Sequence, residues 1–319
     1  MDSFKSIPIS PSRSDNHGYW PAPPSSSRSP CPGLNALANH GYIARNGLNL
    51  KFFEVVRAIA FVYNISYPLA ILLTSIGFLT SGKMAFRRNF ISKAVINSTS
   101  CHWTDSIVVF ILNAMNFVLS FIPTLTLDLA DLSQRGTCKI AHDASFVHPN
   151  SAPSTAPDPN MVNTLLDYSS SRRNYQGFLR FGLGLVDIAR FHAEQVRLSP
   201  PLSKIHSKIA LGECALAWDV LRDHRCSHGA IDFERIVHLQ KGKYEGIVPT
   251  SRLEAWFGQE RLPDGWWDVC GVRPTRTIGI ARARGLANLI GKLAMKQNGV
   301  QRNAEYDRNT RHTPTDNRT

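Results

Sequence analysis

The sequence lacks the short motifs by which several large enzyme classes are recognised. It contains no glycine-rich phosphate-binding loop, no Cys-x-x-Cys pair and no His-Glu-x-x-His zinc motif, and Gly182-x-Gly184 has no third glycine. A Cys-x-x-Cys-His sequence for covalent haem attachment is absent as well. These absences argue against the functions that such motifs carry.

Acidic residues are scarce relative to basic ones. The 319-residue chain has 24 Asp and Glu against 36 Lys and Arg, a net charge of +12 and a pI near 9.7. This balance raises nucleic acid or an anionic membrane as partners. The basic residues are scattered, however, much of the excess lies within residues 273–318, and no recognisable nucleic-acid-reading element is present. We expect a solvated basic tail and no nucleic-acid partner.

Cysteine is too sparse to suggest a disulfide framework. Six widely spaced cysteines fit reduced thiols best, and they are Cys31, Cys101, Cys138, Cys214, Cys226 and Cys270. The first 28 residues are rich in Ser and Pro and contain no apolar run typical of a signal peptide or membrane anchor. We expect residues 1–29 to be disordered and the protein to be intracellular, with secretion open if the N-terminus has been misassigned.

Alternating strand patterns are missing too, and the hydrophobic spacing predicts a mainly α fold. Apolar residues recur with helical spacing in residues 48–64, and residues 66–79 are almost wholly apolar, as in a core helix. Further helical patterns cover residues 177–197 and 204–223. We predict one domain over residues 30–295, followed by a disordered basic tail over residues 296–319.

Cys31 stands between two prolines at the expected start of a helix. Pro30 biases its neighbours away from helix, and Pro32 suits the first helical position. The unpaired N–H groups of the first turn and the positive end of the helix dipole favour a thiolate over a thiol. A thiolate is a nucleophile or a metal ligand; the alternative is a small buried hydrophobic residue.

The residues around Cys31 resemble the proximal motif of the fungal haem-thiolate peroxidases, the family of chloroperoxidase and the unspecific peroxygenases. In that family Pro-Cys-Pro supplies the axial cysteine and Ala-Asn-His-Gly follows, as in residues 30–32 and 38–41 here. Further similar segments follow in the family's order, at residues 63–70, 127–132, 142–146, 212–213 and 260–263. The resemblance implies a single-domain helical fold with haem b between a proximal cysteine loop and a distal helix.

The resemblance also implies roles for individual residues. Cys31, flanked by Pro30 and Pro32, would be the axial ligand of the haem iron. Glu213 matches the family's acid-base position, and His142 matches the histidine that is hydrogen-bonded to that glutamate. His142 would therefore stabilise charge beside the catalytic carboxylate.

Residues next to His142 complete the implied distal site. Asp143 would fix the tautomer of His142, although Asp143 and Ser145 are also good helix N-cap residues. In the family, a glutamate immediately before the histidine, together with the serine hydroxyl, binds a Mg or Mn ion beside a haem propionate. Ala141 stands at the glutamate position here, and Ser145 with a propionate alone makes a weak site for a hard cation. We therefore do not expect a metal beyond the haem iron.

The spacing of residues around Glu213 predicts an apolar environment for its carboxyl group. If residues 204–223 are helical, the neighbours on its face are apolar, namely Ile209, Ala210, Leu216 and Ala217. Desolvation on such a stripe should raise the pKa of the carboxyl group toward a value useful for proton transfer. The alternatives are a helix-terminal cap or a buried ion pair with an arginine such as Arg190.

Residues 83–123 depart from the family, in which a short turn joins the flanking segments. A basic stretch leads into an apolar run over residues 107–122, which is near the lower limit for crossing a bilayer and contains Asn113 and Asn116. Three interpretations are open: a buried extra helix, a membrane-associating segment, or a translated retained intron. We favour the third, because residues 79–82 would join well to Thr124.

These features predict a peroxidase or peroxygenase that uses hydrogen peroxide to oxidise, oxygenate or halogenate small organic substrates. No residue selects among these reactions or identifies the substrate. The alternative is a catalytically impaired relic of the family that binds haem or associates with a membrane, as the atypical segment and Ala141 suggest. The presence of Cys31, His142, Asp143 and Glu213 favours the enzyme.

Overall fold

The computed structural model describes residues 17–86, 123–136, 138–170, 182–223, 246–268 and 272–311. Its helices are α1 (Pro32–Asn39), α2 (Phe52–Tyr63), α3 (Tyr67–Ser81), α4 (Pro159–Ser170), α5 (Leu185–Arg197), α6 (Lys204–Leu221), α7 (Thr250–Leu253) and α8 (Ile280–Arg311). A 3-10 turn spans Leu129–Ser133, and α7 runs on into a π-helical turn, Glu254–Gly258. The predicted mainly α class is confirmed.

Local sequence signals set the starts of the helices. α2 begins at Phe52, later than the hydrophobic spacing predicts, because Asn49 takes a positive φ of 53° and the next two residues form a strand. α6 begins after Ser203, whose hydroxyl accepts a hydrogen bond from the backbone N–H of His206 at 3.2 Å. The start of this helix agrees with the pattern in the sequence.

Two small sheets were not predicted. One has the strand order β1-β3-β2 and the other pairs β4 with β5, all antiparallel. The strands are β1 (Leu50–Lys51), β2 (Lys83–Phe86), β3 (Pro123–Leu127), β4 (Gly182–Leu183) and β5 (Val248–Pro249). Strands of two to five residues are too short to produce a recognisable alternation of apolar and polar side chains.

The segment over residues 83–123 begins and ends in paired strands. Lys83 lies opposite Thr126 and Phe86 opposite Pro123, so the two ends of the segment are adjacent in space. Residues 87–122, on which the extra helix, the membrane segment and the retained intron all depend, lie outside the described residues. Across the described ranges, no helix has both the length and the apolar character needed to cross a bilayer.

The core is built where α8 packs across α5 and α6, and where α2 packs on α3. Trp218 of α6 and Leu286 and Ile290 of α8 are fully buried. Gly291 lets the two helices approach closely, because a Cβ there would lie 3.2 Å from a methyl carbon of Leu211. The basic, amphipathic α8 is thus a helix packed on the domain.

Asp219 ties α6 to α8 through a buried ion pair. Its carboxylate, 1% exposed, accepts hydrogen bonds from Arg282 Nε at 2.5 Å and Nη2 at 2.6 Å. Arg222 Nε donates to the same carboxylate at 3.1 Å. Two guanidinium groups therefore compensate one desolvated negative charge.

The ordered structure extends past both predicted domain boundaries. Residues 17–29, expected to be disordered, are described, and the side chain of Arg28 donates to Asn39 Oδ1 at 2.6 Å and to the carbonyl of Arg45 at 2.9 Å. Arg28 is buried, and these hydrogen bonds satisfy its guanidinium group inside the protein. At the other end, α8 continues to Arg311, through much of the predicted tail.

We predict that Asp219→Ala lowers the free energy of unfolding by about 3 kcal/mol, because it leaves two guanidinium groups without their shared charge. Urea denaturation of the haem-free protein would measure this loss. Glu194→Ala is the matched control, since its ion pair with Arg197 is exposed, and we expect it to cost less than about 1 kcal/mol. Equal losses in the two variants would contradict the structural role of Asp219.

Candidate active site

Cys31 is the N-cap residue of α1, in extended backbone geometry. The backbone N–H groups of Gly33 and Leu34 donate toward its sulfur and lower the pKa of the thiol. Desolvation outweighs them and raises that pKa to about 11, although the side chain is solvent-exposed. The residue is thus accessible at the protein surface, while protein atoms surround its sulfur. The N–H groups at the start of the helix thus favour the thiolate, as the sequence predicts, but burial is the larger effect.

A web of hydrogen bonds fixes the loop that carries Cys31. The N–H of Cys31 donates to Ser29 Oγ at 3.2 Å, and the N–H of Ser29 donates to Asn35 Oδ1 at 2.9 Å. Asn35 Nδ2 in turn donates to the Ser29 carbonyl at 2.7 Å and to Glu260 Oε1 at 2.6 Å. Burial raises the pKa of Glu260, while the bond from Asn35 lowers it. Glu260, from a distant part of the chain, therefore supports the cysteine loop.

The end of α1 is braced by the same distant segment. Asn39 Nδ2 donates to the carbonyl of Glu260 at 3.0 Å, and the N–H of Leu262 donates to His40 Nε2 at 3.1 Å. The residues that follow the cysteine in the motif thus hold it in place through contacts with residues 260–262.

Glu213 on α6 is paired with His142. The distance from His142 Nε2 to Glu213 Oε2 is 3.1 Å, and His142 Nδ1 lies 2.6 Å from the backbone carbonyl of Asp143. Burial alone would lower the pKa of His142, but the charge and hydrogen bond of Glu213, together with that carbonyl, raise it to about 9. At neutral pH the His142 ring is therefore protonated.

Asp143 orients His142 through its main chain, not its side chain as expected. Its Oδ1 accepts instead from Arg135 Nη1 at 2.5 Å and from the N–H of Ser151 at 2.6 Å. Neither Asp143 nor Ser145 caps a helix, because both lie in an irregular loop. Ser145 Oγ accepts a long bond, 3.4 Å, from the N–H of Val147.

Arg135 clamps this loop, which sequence reasoning did not anticipate. Its Nη2 donates to the carbonyls of His142 and Pro149 at 3.3 and 3.1 Å, and its Nε to that of Ala152 at 2.9 Å. No local pattern indicates that one guanidinium group binds carbonyls spread over ten residues. Arg135 thereby holds the backbone on which His142 is mounted.

The Glu213 carboxylate is 63% exposed, so the expected desolvation on an apolar stripe is wrong. The stripe lies beside it, but the carboxylate extends toward open space and pairs with His142 instead of Arg190. At the preceding residue, Gly212, an added Cβ would meet no atom within 4 Å. The charge of Glu213 also raises the pKa of the Cys31 thiol, so the two groups are close enough to interact, and we call the space between them the recess.

These observations fit a haem group. An exposed cysteine, a carboxylate that is paired with an imidazolium and close enough to act on that cysteine, and open space at Gly212 are what a thiolate-ligated macrocycle requires. Ala141 lines a cavity of about 560 Å³ with His142 and His206. Across the described ranges, no three His, Cys, Asp or Glu side chains are grouped to bind a metal ion.

Comparison with known proteins identifies the family. Residues 17–269 match the family described as Peroxidase, family 2. The chain belongs to this family, the fungal haem-thiolate peroxidases and peroxygenases. The relationship predicted from the cysteine motif is thereby confirmed, and it implies haem as the cofactor.

Individual relatives match over shorter stretches. An aromatic peroxidase, fscJ, from Fusarium equiseti is 53% identical over 55 residues, which is 17% of this chain and 12% of the relative. An aromatic peroxygenase from Coprinellus radians is 36% identical over 69 residues, 22% of this chain and 26% of the relative. The dothistromin biosynthesis peroxidase dotB from Dothistroma septosporum is 44% identical over 64 residues, 20% and 15% respectively. The chain thus matches about a quarter or less of each relative's length.

We predict that the His142–Glu213 pair makes stability pH-dependent. Because the folded-state pKa of His142 is raised from 6.5 to about 9, its stabilisation is fully present below pH 6.5 and is lost as the pH rises toward 9. His142→Gln should remove this loss. Thermal unfolding of the haem-free parent and variant between pH 6 and 9.5 would measure it, and parallel curves would show that the pair does not carry this charge.

Proposed function

We propose that this protein is a haem-thiolate peroxidase or peroxygenase that uses hydrogen peroxide to oxidise or oxygenate small organic substrates. The supporting observation is the pairing of Glu213 with a protonated His142 across the recess from Cys31. Relatives named aromatic peroxidase and aromatic peroxygenase support an aromatic substrate. The non-catalytic alternative is not favoured, because the acid-base pair is complete.

Haem b bound through Cys31 would supply the redox chemistry for cleaving the O–O bond of the peroxide. The contribution of Cys31 is an anionic sulfur that pushes electron density toward the bond to be broken. Because its pKa is about 11, the thiol has to lose its proton when it ligates a cation. The web from Ser29, Asn35 and Glu260 holds the sulfur in one position while this charge forms.

Glu213 is the residue that we assign to proton transfer during cleavage of hydrogen peroxide. Its carboxylate would take a proton from one oxygen of hydrogen peroxide and return it to the other, which then leaves as water. Oε2 is engaged by His142 Nε2 at 3.1 Å, whereas Oε1 has no hydrogen-bond partner within the described part of the chain. The exposed Oε1 is therefore the atom that we assign to proton transfer.

His142 positions the carboxylate of Glu213. An imidazolium that donates to Oε2 stabilises the carboxylate and fixes its orientation. The Asp143 carbonyl at Nδ1 and the Arg135 clamp hold the ring in turn. His142 is thus a positioning and charge-stabilising residue for the proton transfer on Glu213.

We further propose that the haem iron is the only metal at the site. Ala141 offers no carboxylate where the family resemblance places one, and Ser145 alone is a weak ligand for Mg or Mn. Haem affinity that is unaffected by added Mg²⁺, Mn²⁺ or a chelator would agree with this proposal.

We predict that Glu213→Gln slows the reaction of the haem-reconstituted protein with hydrogen peroxide by about 10²-fold or more, since the amide cannot accept the proton. Stopped-flow absorption would measure the rate. Glu194→Gln on α5 removes an exposed carboxylate outside the site and should react like the parent.

The haem spectrum distinguishes loss of chemistry from loss of cofactor. Glu213→Gln should bind haem as the parent does, because the substitution is close in shape and leaves Cys31 unchanged. A variant that binds haem normally and reacts with peroxide as fast as the parent would show that Glu213 is not the proton acceptor.

A further inference from the structure

Two aromatic side chains lie against the backbone beside Cys31. The hydroxyl of Tyr63 donates to the carbonyl of Gly33 at 2.6 Å. A Cβ placed on Gly33 would lie 3.2 Å from Trp256 Cζ2 and 3.8 Å from the Cys31 sulfur. Both rings are therefore close to the sulfur, and both are buried.

From this point ring contacts lead to Trp266, and the chain itself connects Trp266 to an exposed tryptophan. The Tyr63 ring centroid lies 5.1 Å from that of Trp256 and 6.0 Å from that of Trp266. Trp266, 3% exposed, is followed directly in the chain by Trp267, which is 46% exposed. We call Trp256, Tyr63, Trp266 and Trp267 the aromatic series.

Tyrosine and tryptophan are the aromatic side chains most easily oxidised by one electron, and neighbouring rings pass electrons readily. We propose that the aromatic series conducts electrons from Trp267 to the cysteine-bound haem, so that phenols too bulky to enter the recess are oxidised at the protein surface. This inference rests on the proposed function, which supplies hydrogen peroxide as the oxidant.

The electron balance is complete. One hydrogen peroxide accepts two electrons and two protons and yields two waters. Two phenol molecules, docking in turn on the exposed face of Trp267, each give up one electron and one proton and leave as phenoxyl radicals. Each electron passes inward along the series, and the phenolic protons enter solvent.

The surroundings of Trp267 suit a relay that does not hold its charge. The Arg273 guanidinium carbon lies 5.4 Å from the centroid of the Trp267 ring, and a positive charge there disfavours an indole cation. An oxidised Trp267 therefore reacts readily with a phenol when one is docked, and it persists as a radical only when no donor is present. Phe61 stacks on the Trp267 ring with the centroids 5.2 Å apart and keeps it in place, yet Trp267 is still 46% exposed.

Trp20 provides a matched control for an exposed tryptophan. It is 67% exposed and has the Arg45 guanidinium 5.2 Å above its ring, yet within the described residues its ring contacts no other aromatic ring. It thus shares the exposure and cation contact of Trp267 without a connection to Cys31.

The experiment compares Trp267→Phe, Trp20→Phe and the parent as full-length, haem-reconstituted proteins. The donors are a free phenol and the same phenol tethered to soluble dextran, which cannot enter the recess. We expect Trp267→Phe to lower kcat/KM for the tethered phenol by about 10-fold or more and to leave the free phenol within about twofold. Trp20→Phe should change neither.

A spectroscopic readout does not depend on turnover. Rapid freezing after peroxide addition without a donor should give an electron paramagnetic resonance signal of a tryptophan radical in the parent and in Trp20→Phe, and this signal should be lost in Trp267→Phe. Tyr63→Phe, which breaks the series upstream, should also weaken the signal while Trp267 is intact.

The outcomes separate the two proposals. Undiminished turnover of the tethered phenol and an unchanged radical signal in Trp267→Phe would overturn the aromatic series, while turnover of the free phenol would still support the proposed function. A parent that binds haem but oxidises neither donor would overturn both.

Discussion

The proposed chemistry requires the Cys31 sulfur to be held in one place at the start of α1. A helix N-terminus offers backbone N–H groups, but these do not overcome the cost of burying a charge, and the thiol has a pKa of about 11. The position of the sulfur is therefore set by side chains around it. Ser29 and Asn35 form hydrogen bonds within the cysteine loop, and Glu260, from a distant segment, accepts a further hydrogen bond from Asn35.

Glu213 is likewise held in place by its surroundings, in this case by pairing with the positively charged His142. Glu213 is exposed, so it needs no desolvation to be reached by a small oxidant, and His142 supplies the compensating positive charge. The histidine in turn depends on backbone carbonyls and on Arg135. A buried cluster of Asp219 with Arg222 and Arg282 secures α6 against α8 and so keeps the helix of Glu213 in place.

The sequence predicts those features whose signals lie within a few neighbouring residues. Cys31, His142 and Glu213 lie in short motifs, and α6 carries its cap and its apolar spacing within the helix. Glu260 and Arg135 could not be found this way, because Glu260 binds Asn35 225 residues away and Arg135 binds main-chain atoms that leave no trace in residue type.

Three features differ from the sequence predictions, and each difference has a physical cause. Helical spacing around Glu213 places apolar neighbours on its face but does not show that the carboxylate extends past them into open space. The side chain of Asp143 was expected to hold His142, whereas its carbonyl does so, because the backbone turns at this point with a positive φ of 64° at Ala144. The two short sheets depend on pairing between segments far apart in the chain.

The most direct measurement is the absorption spectrum of the haem-reconstituted protein, reduced with dithionite under carbon monoxide, beside that of Cys31→Ala. A strongly red-shifted Soret band in the parent, lost in the variant, is the predicted result, because such a band requires a thiolate opposite the carbon monoxide. A parent that binds haem without this band, or a variant that retains it, would contradict Cys31 as the ligand and with it the central claim.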